Sequence, residues 1–205
     1  EDLDQLGMVR FVAGLAVETV IERTSVHKLL ERVRDLLPGG DEWDQEAGLL
    51  DSEYQLAMLR FREEHLLAGV ARRLKRGVDQ GLHPGVVFSR VQDHVVAVAT
   101  AHVERLMLEA FVDRIRSLPD DLPDESKRAL GRLCDLFALT TIEGDRAWFM
   151  EHGRLGVVRS KAITREVTSL CRQIRPVAVD LVDAWGVPAE VLRSPELLTV
   201  SPVGR

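Results

Sequence analysis

Apolar side chains in this sequence recur every three or four residues over long stretches, and nowhere do apolar and polar residues alternate long enough to make a convincing strand. That spacing places one apolar stripe along each of several helices, and a stripe must be buried against another element. Helices of this length joined by short breaks pack side by side with alternating direction. The fold class expected is therefore all-α, an antiparallel bundle of about five long helices.

The breaks are set by proline, glycine and short polar runs. A first helix is expected over residues 4–37, with Val26, Leu30, Val33 and Leu37 in 4-3-4 spacing; Pro38, Gly39 and Gly40 end it. Residues 41–48 read as a polar loop, with Trp43 folded back onto the bundle. A second helix starts at Asp51 or Ser52, either of which can cap free amides, and buries Leu56, Leu59, Leu66, Val70 and Leu74. The stretch from Gly77 to Gly85 closes it.

The third helix is expected over 84–118, with Pro84 in its first turn. Its stripe runs through Val91, Val95, Val98, Leu106 and Val112, with His102 and Glu109 in the same register. Residues 119–124 hold two prolines and three aspartates, a strong breaker. The fourth spans 125–152 and stops at Gly153; Leu130, Leu133, Cys134, Leu136 and Phe137 make it apolar over a wide arc, so it is expected at the centre. The fifth runs over 156–185 with Val167, Leu170, Ile174, Val177 and Leu181 inward, kinked at Pro176. A short helical turn follows at 189–192.

Size and charge narrow the function classes. A chain of 205 residues suits one domain and buries roughly 70% of its unfolded surface without a staple. The net charge of -6 is the wrong sign for neutralising phosphates, so no nucleic-acid partner is expected. The basic run Arg72, Arg73, Lys75 and Arg76 lies near a helix end, where cations complement the dipole. No segment is apolar enough to span a membrane, and the acidic start reads as no secretory leader. Beginning at Glu1 rather than Met suggests a fragment, a processed chain or a removed tag. Cys134 and Cys171 stand far apart and read as two small buried side chains in a reducing compartment.

Few motifs that carry chemistry occur in the sequence. There is no Gly-x-Gly, no Cys-x-x-Cys and no His-Glu-x-x-His; no glutamate has a histidine three residues later, as a di-iron bundle would need. His94 and His102, eight residues apart, could share a helix side but lack a third ligand, and read as interfacial. His65, after Glu63 and Glu64, reads as paired on a surface, and His27, His83 and His152 as lying on exposed faces or at helix ends. Glu104 and Glu109 could have raised pKa values if buried; pairing with Arg105 or Arg114 is the commoner outcome. Trp148 and Phe149, beside Glu151, read as a packing corner. The residues thus assign no catalytic role and no metal ligand, and cofactor-binding residues stay unassigned.

Four ordered blocks carry a resemblance. LCDLFALTTIEGDRAWFMEHGRL, residues 133–155, resembles the acyl-CoA oxidase C-terminal pattern of a leucine-cysteine, "LYAL"-like helix followed by "WFLE". IRPVAVDLVDAWGVP, 174–188, is similar to that family's "RP-x-A-x-x-LVDAF" helix, with Trp185 in place of phenylalanine. QDHVVAVATAHVERLMLEAFV, 92–112, is similar to the preceding helix, and LLDSEYQLAMLRFREEHLL, 49–67, to the "REEHLL" helix of bacterial members.

The resemblance implies the C-terminal helical domain of a flavoprotein of the acyl-CoA dehydrogenase superfamily. Such an enzyme uses FAD to oxidise an acyl-CoA to the trans-2-enoyl-CoA in fatty acid beta-oxidation, and oxygen reoxidises the flavin to give hydrogen peroxide. The family's catalytic glutamate precedes a "GDN"-type stretch in an earlier domain. Glu143-Gly144-Asp145-Arg146 resembles that stretch only superficially, so no role passes to Glu143. The flavin-binding half is expected to lie outside this chain. The partners implied are that half, acyl-CoA through the complete enzyme, and a second copy in a homodimer; the domain would serve packing, the dimer interface and the acyl tunnel. The tail 194–205 lacks the aromatic ending of many peroxisomal members and a Ser-Lys-Leu address. Lysine is confined to Lys28, Lys75, Lys127 and Lys161 against many arginines, which suggests a GC-rich bacterial genome and the cytoplasm. The alternatives are a separate non-catalytic subunit and an unrelated helical scaffold or binding protein.

Overall fold

Asp51 does what its position promises: its carboxylate accepts the Glu53 backbone N–H at 2.9 Å and starts the first described helix. The computed structural model describes residues 48–188. In order these form α1 (Ser52–Asp79), α2 (Pro84–Arg116), α3 (Asp124–Gly144), α4 (Arg146–Glu151), α5 (Val157–Ile174), a 3-10 turn (Arg175–Val177) and α6 (Ala178–Asp183). The described residues hold helices and no strand, as the periodicity requires. The helix expected over 4–37, the loop with Trp43 and the turn at 189–192 lie outside the described residues.

α1 and α2 form a long antiparallel hairpin, about 42 and 50 Å from their residue counts of 28 and 33. Its open end is tied by Arg116 to Glu53, at 2.8 Å. Its closed end depends on Gly77, where a Cβ would stand 2.6 Å from the Val87 methyl, so the two backbones approach closely only because no side chain intervenes. α3 packs on both members of the hairpin and on α5, which makes it the central helix of the described fold.

Two cores result. The larger gathers Leu56 and Leu59 of α1, Leu108 and Val112 of α2, Leu139 and Ile142 of α3, Phe149 of α4 and Ile163 and Leu170 of α5. Burying each such side chain contributes about 1.5–3 kcal/mol relative to exposure. The smaller holds Val70, Leu74, Val87 and Val91 between the far parts of α1 and α2.

Several expectations need correction. The fourth helix is not continuous to 152: α3 ends at Gly144, Asp145 has φ -103°, and α4 starts anew. Glycine weakens the helix there, and Asp145 is drawn aside by Arg62. The fifth is interrupted where Pro176 stands, through the 3-10 turn, because proline lacks the N–H the ladder needs. Leu106 is exposed; Ala101, Leu108 and Val112 carry the inner register of α2 instead. Cys171 is exposed, whereas Cys134 is buried as expected. Gly153, with φ +66°, does end α4, and Arg154 N–H closes back on Phe149 at 2.9 Å.

Candidate functional site

The inward face of α1 reads Gln55, Leu59, Arg62 and Leu66, so one turn of an apolar stripe carries a guanidinium. Its side chain is 4% exposed. A buried cation needs counter-charges, and two arrive from different elements: Nη2 donates to Glu104 of α2 and Nη1 to Asp145 at the α3–α4 corner. Nε is buried with no hydrogen-bond partner. Arg62 thereby pins the hairpin to the corner.

A cleft of about 340 Å³ opens beside this clasp, walled by Leu66, Ala97, Ala101 and Trp148 with Arg62, Glu104 and Asp145 at its polar side. The Trp148 ring stacks on His152 at 4.0 Å and 24°, and meets Phe61, His65 and Phe149 at 5.7, 5.5 and 5.2 Å. His65 and His152 stand edge to face at 4.4 Å, and Arg154 caps Phe61 at 4.0 Å. Partial burial pulls the Arg154 pKa down.

A second network runs along the hairpin. Glu63 accepts from Arg105 and, at 2.7 Å, pairs with His102; Arg105 also donates to Glu109 at 2.5 Å, and Glu109 takes Arg60 at 3.0 Å. Burial opposes ionisation of Glu63 and Glu109, yet the hydrogen bonds from Arg105 and His102, and from Arg60 and Arg105, outweigh it and hold both carboxyls below the ordinary range. The Glu63 bond raises the Arg105 pKa in turn.

The structure separates His94, which is exposed, from His102, which serves Glu63. Among the described residues no three histidine, cysteine, aspartate or glutamate side chains could hold a metal ion. Glu104 pairs with Arg62 rather than Arg105 or Arg114, and Glu109 with Arg105 as expected. Glu143 accepts the Thr164 hydroxyl at 2.5 Å, a bond between α3 and α5. Trp148 and Phe149 do form a corner, but it includes His65, half-buried among aromatic rings rather than out on a surface. Arg62 and Asp145 were missed; the signal was a charged residue in register with Leu59 and Leu66.

Comparison with known proteins agrees with this architecture. The family described as Acyl-CoA oxidase matches residues 51–195. The peroxisomal acyl-coenzyme A oxidase 2 of Arabidopsis thaliana is 33% identical over 153 residues, covering 75% of this chain and 22% of the plant protein. The human peroxisomal acyl-coenzyme A oxidase 3 is 27% identical over 161 residues, covering 78% of this chain and 22% of the human one. Among solved structures, acyl-CoA oxidase 1 of Yarrowia lipolytica superposes with a TM-score of 0.63 at 21% identity, covering 95% of this chain and 28% of that one. Acyl-CoA oxidase-1 of Caenorhabditis elegans, solved with FAD and ATP, gives 0.67 at 17%, covering 93% and 28%. The chain thus spans between 22% and 28% of these relatives' lengths. With its matched region covering most of the bundle, the chain belongs to the acyl-CoA oxidase family.

Proposed function

We propose that this chain is the C-terminal helical domain of an FAD-dependent acyl-CoA oxidase that converts acyl-CoA to trans-2-enoyl-CoA in fatty acid beta-oxidation. The observation that carries the reading is the family match over 51–195 in a chain that spans 22% of the plant oxidase. Its work is packing on the flavin-bearing half, extending a homodimer interface and bounding the acyl tunnel.

The cleft beside Arg62 is a poor fit for a flavin by itself. FAD carries a pyrophosphate, which wants free cations or amide donors. In the cleft the buried guanidinium already spends both terminal nitrogens on Glu104 and Asp145, leaving one carboxylate in excess. On this reading the chemistry is carried by another part of the enzyme, with FAD a neighbour of this domain. The cytoplasm is the proposed compartment, on the arginine-rich, lysine-poor composition of a bacterial chain; no helix among the described residues is long and apolar enough to cross a membrane.

The test uses the 205-residue chain alone and combined with a flavin-bearing acyl-CoA oxidase half. Alone it leaves FAD fluorescence unchanged and yields no peroxide from acyl-CoA. Combined, it raises enoyl-CoA and peroxide production by that half. Oxidation by the chain alone refutes the assignment.

A further inference from the structure

The closed end of the α1–α2 hairpin departs from the rest of the chain in charge. Between Ala71 and His94 the basic side chains Arg72, Arg73, Lys75, Arg76 and Arg90 stand against Asp79 and Asp93 alone, three positive charges net in a chain of net charge -6. All five are exposed, and among the described residues none of them takes part in an ion pair. Arg76 lies in the last turn of α1, where it complements the helix dipole. That effect is spent within one turn and leaves Arg72, Arg73 and Lys75 without an account.

The same end also exposes apolar side chains: Val78 at 55%, Val86 at 44% and Phe88 at 46%. Val70, Leu74, Val87 and Val91 fill the small core beneath, and these three stand outside it. The turn that carries them is closed by its own backbone, with the Gly81 N–H donating to the Val78 carbonyl at 2.9 Å and the Leu82 N–H to that of Gly77 at 3.2 Å. The apolar tip is therefore held in place before any partner arrives. Arg76, Lys75, Arg73 and Arg72 lie two to six residues before Val78, about 3–9 Å back along α1, and Arg90 lies about 3 Å behind Phe88 along α2.

We propose that this tip docks on the surface of an anionic lipid bilayer, with Val78, Val86 and Phe88 entering the interface and the five cations meeting the headgroups. Charge and depth together select this partner. Apolar groups of an interfacial segment sink about 5–10 Å into the headgroup and acyl boundary, which matches the set-back of the cations from the tip. Lysine and arginine stems lie along apolar surface while their heads stay with the charged layer. A nucleic acid would answer the cations and leave the valines and Phe88 in water. An apolar protein groove would cover those three and leave the cations unanswered. The contact is a surface one, since no helix among the described residues is long and apolar enough to cross a membrane. Lipid docking neither needs nor alters the place of this domain in an oxidase.

Vesicle flotation of the 205-residue chain tests the docking. The chain should float with vesicles of phosphatidylcholine and phosphatidylserine mixed three to one, and stay behind with phosphatidylcholine alone. Raising the salt from about 0.1 to 1 M shortens the screening length from about 10 to 3 Å and should release it. Lys75→Gln with Arg76→Gln should weaken partitioning by about 10- to 30-fold, each cation near the surface being worth about fivefold. Phe88→Ser should weaken it by at least about fivefold. Arg114→Gln with Arg128→Gln removes two exposed cations away from the tip and should change it by less than about threefold. Circular dichroism checks that each variant keeps the parental helix content. No flotation with the anionic vesicles, equal flotation with the neutral ones, equal losses in the tip and control pairs, or an unaltered Phe88→Ser variant each overturns the proposal. Tighter binding to a single-stranded oligonucleotide than to vesicles, indifferent to Phe88→Ser, overturns it in favour of a nucleic acid.

Discussion

Replacing Arg62 with methionine keeps the length of the side chain and removes its charge. Two charge-assisted hydrogen bonds are lost, to Glu104 and Asp145, each worth about 1.5–3 kcal/mol in a buried setting. The full sum overstates the cost, because Glu104 is 30% and Asp145 47% exposed and both can rehydrate once released. The methionine also recovers transfer energy in the slot that the guanidinium leaves. A net loss of about 2–3 kcal/mol is expected, near the lower edge of the range for breaking buried pairs. At about 2–4 °C per kcal/mol for a domain of this size, the midpoint falls by about 4–12 °C. Urea unfolding followed at 222 nm gives the free energy directly. The triple variant Arg62→Met, Glu104→Gln, Asp145→Asn removes the uncompensated charges and should regain more than half of the loss. Reasoning from a buried clasp is refuted if the single variant costs under about 0.5 kcal/mol, or if the triple is no more stable than the single.

Other outcomes follow from the same geometry. Gly77→Ala forces a methyl against the short, buried Val87 side chain and should cost about 1–2 kcal/mol by urea melts, overpacking outweighing the gain in helix propensity. Glu63 and Glu109 have pKa values below the ordinary 4.5, so their stabilisation is present above that value and disappears as pH falls through the lower folded values. Glu63→Gln should flatten the acid limb of stability against pH and leave the alkaline limb alone. Asp135 behaves oppositely: burial raises its pKa above 3.8 despite the Gln55 hydrogen bond, so Asp135→Asn should stabilise the fold near pH 7 and lose that advantage below about pH 4. A thiol reagent at pH 8 should label Cys171 alone in the native chain and both cysteines in urea, since Cys134 is buried and its pKa is pushed up to about 11 by burial and by Asp135.

The elements themselves were legible because local chemistry decided them. Asp51, Pro84, the 119–124 run and Gly153 each act through their own backbone or nearest turn, and each stands where the pattern placed it. The stripe of α1 was legible because it has only one apolar face. α2 misled at Leu106 because two apolar series interleave along it, and periodicity alone cannot say which faces the bundle. The break at Gly144 was hidden for a different reason. Ile142 and Phe149 are seven residues apart and both buried, so the apolar rhythm continues across an interruption that a tertiary contact from Arg62 imposes. The clasp could be suspected from α1 alone, but its partners come from 42 and 83 residues away.

The division of the interior into two cores has a dynamic consequence. From Val70 outward, the hairpin is held by four buried aliphatic side chains, by Leu82, Val95 and Val98 packed at their edge, and by a close approach at Gly77, with none of the α3, α4 or α5 side chains of the larger core involved. Such a unit can melt without disturbing the bundle. Amide protons of 70–91 should therefore exchange with solvent sooner than those of 55–62 and 134–142, and chain insertions between Gln80 and Leu82 should be tolerated where the same insertions at Gly144 are not.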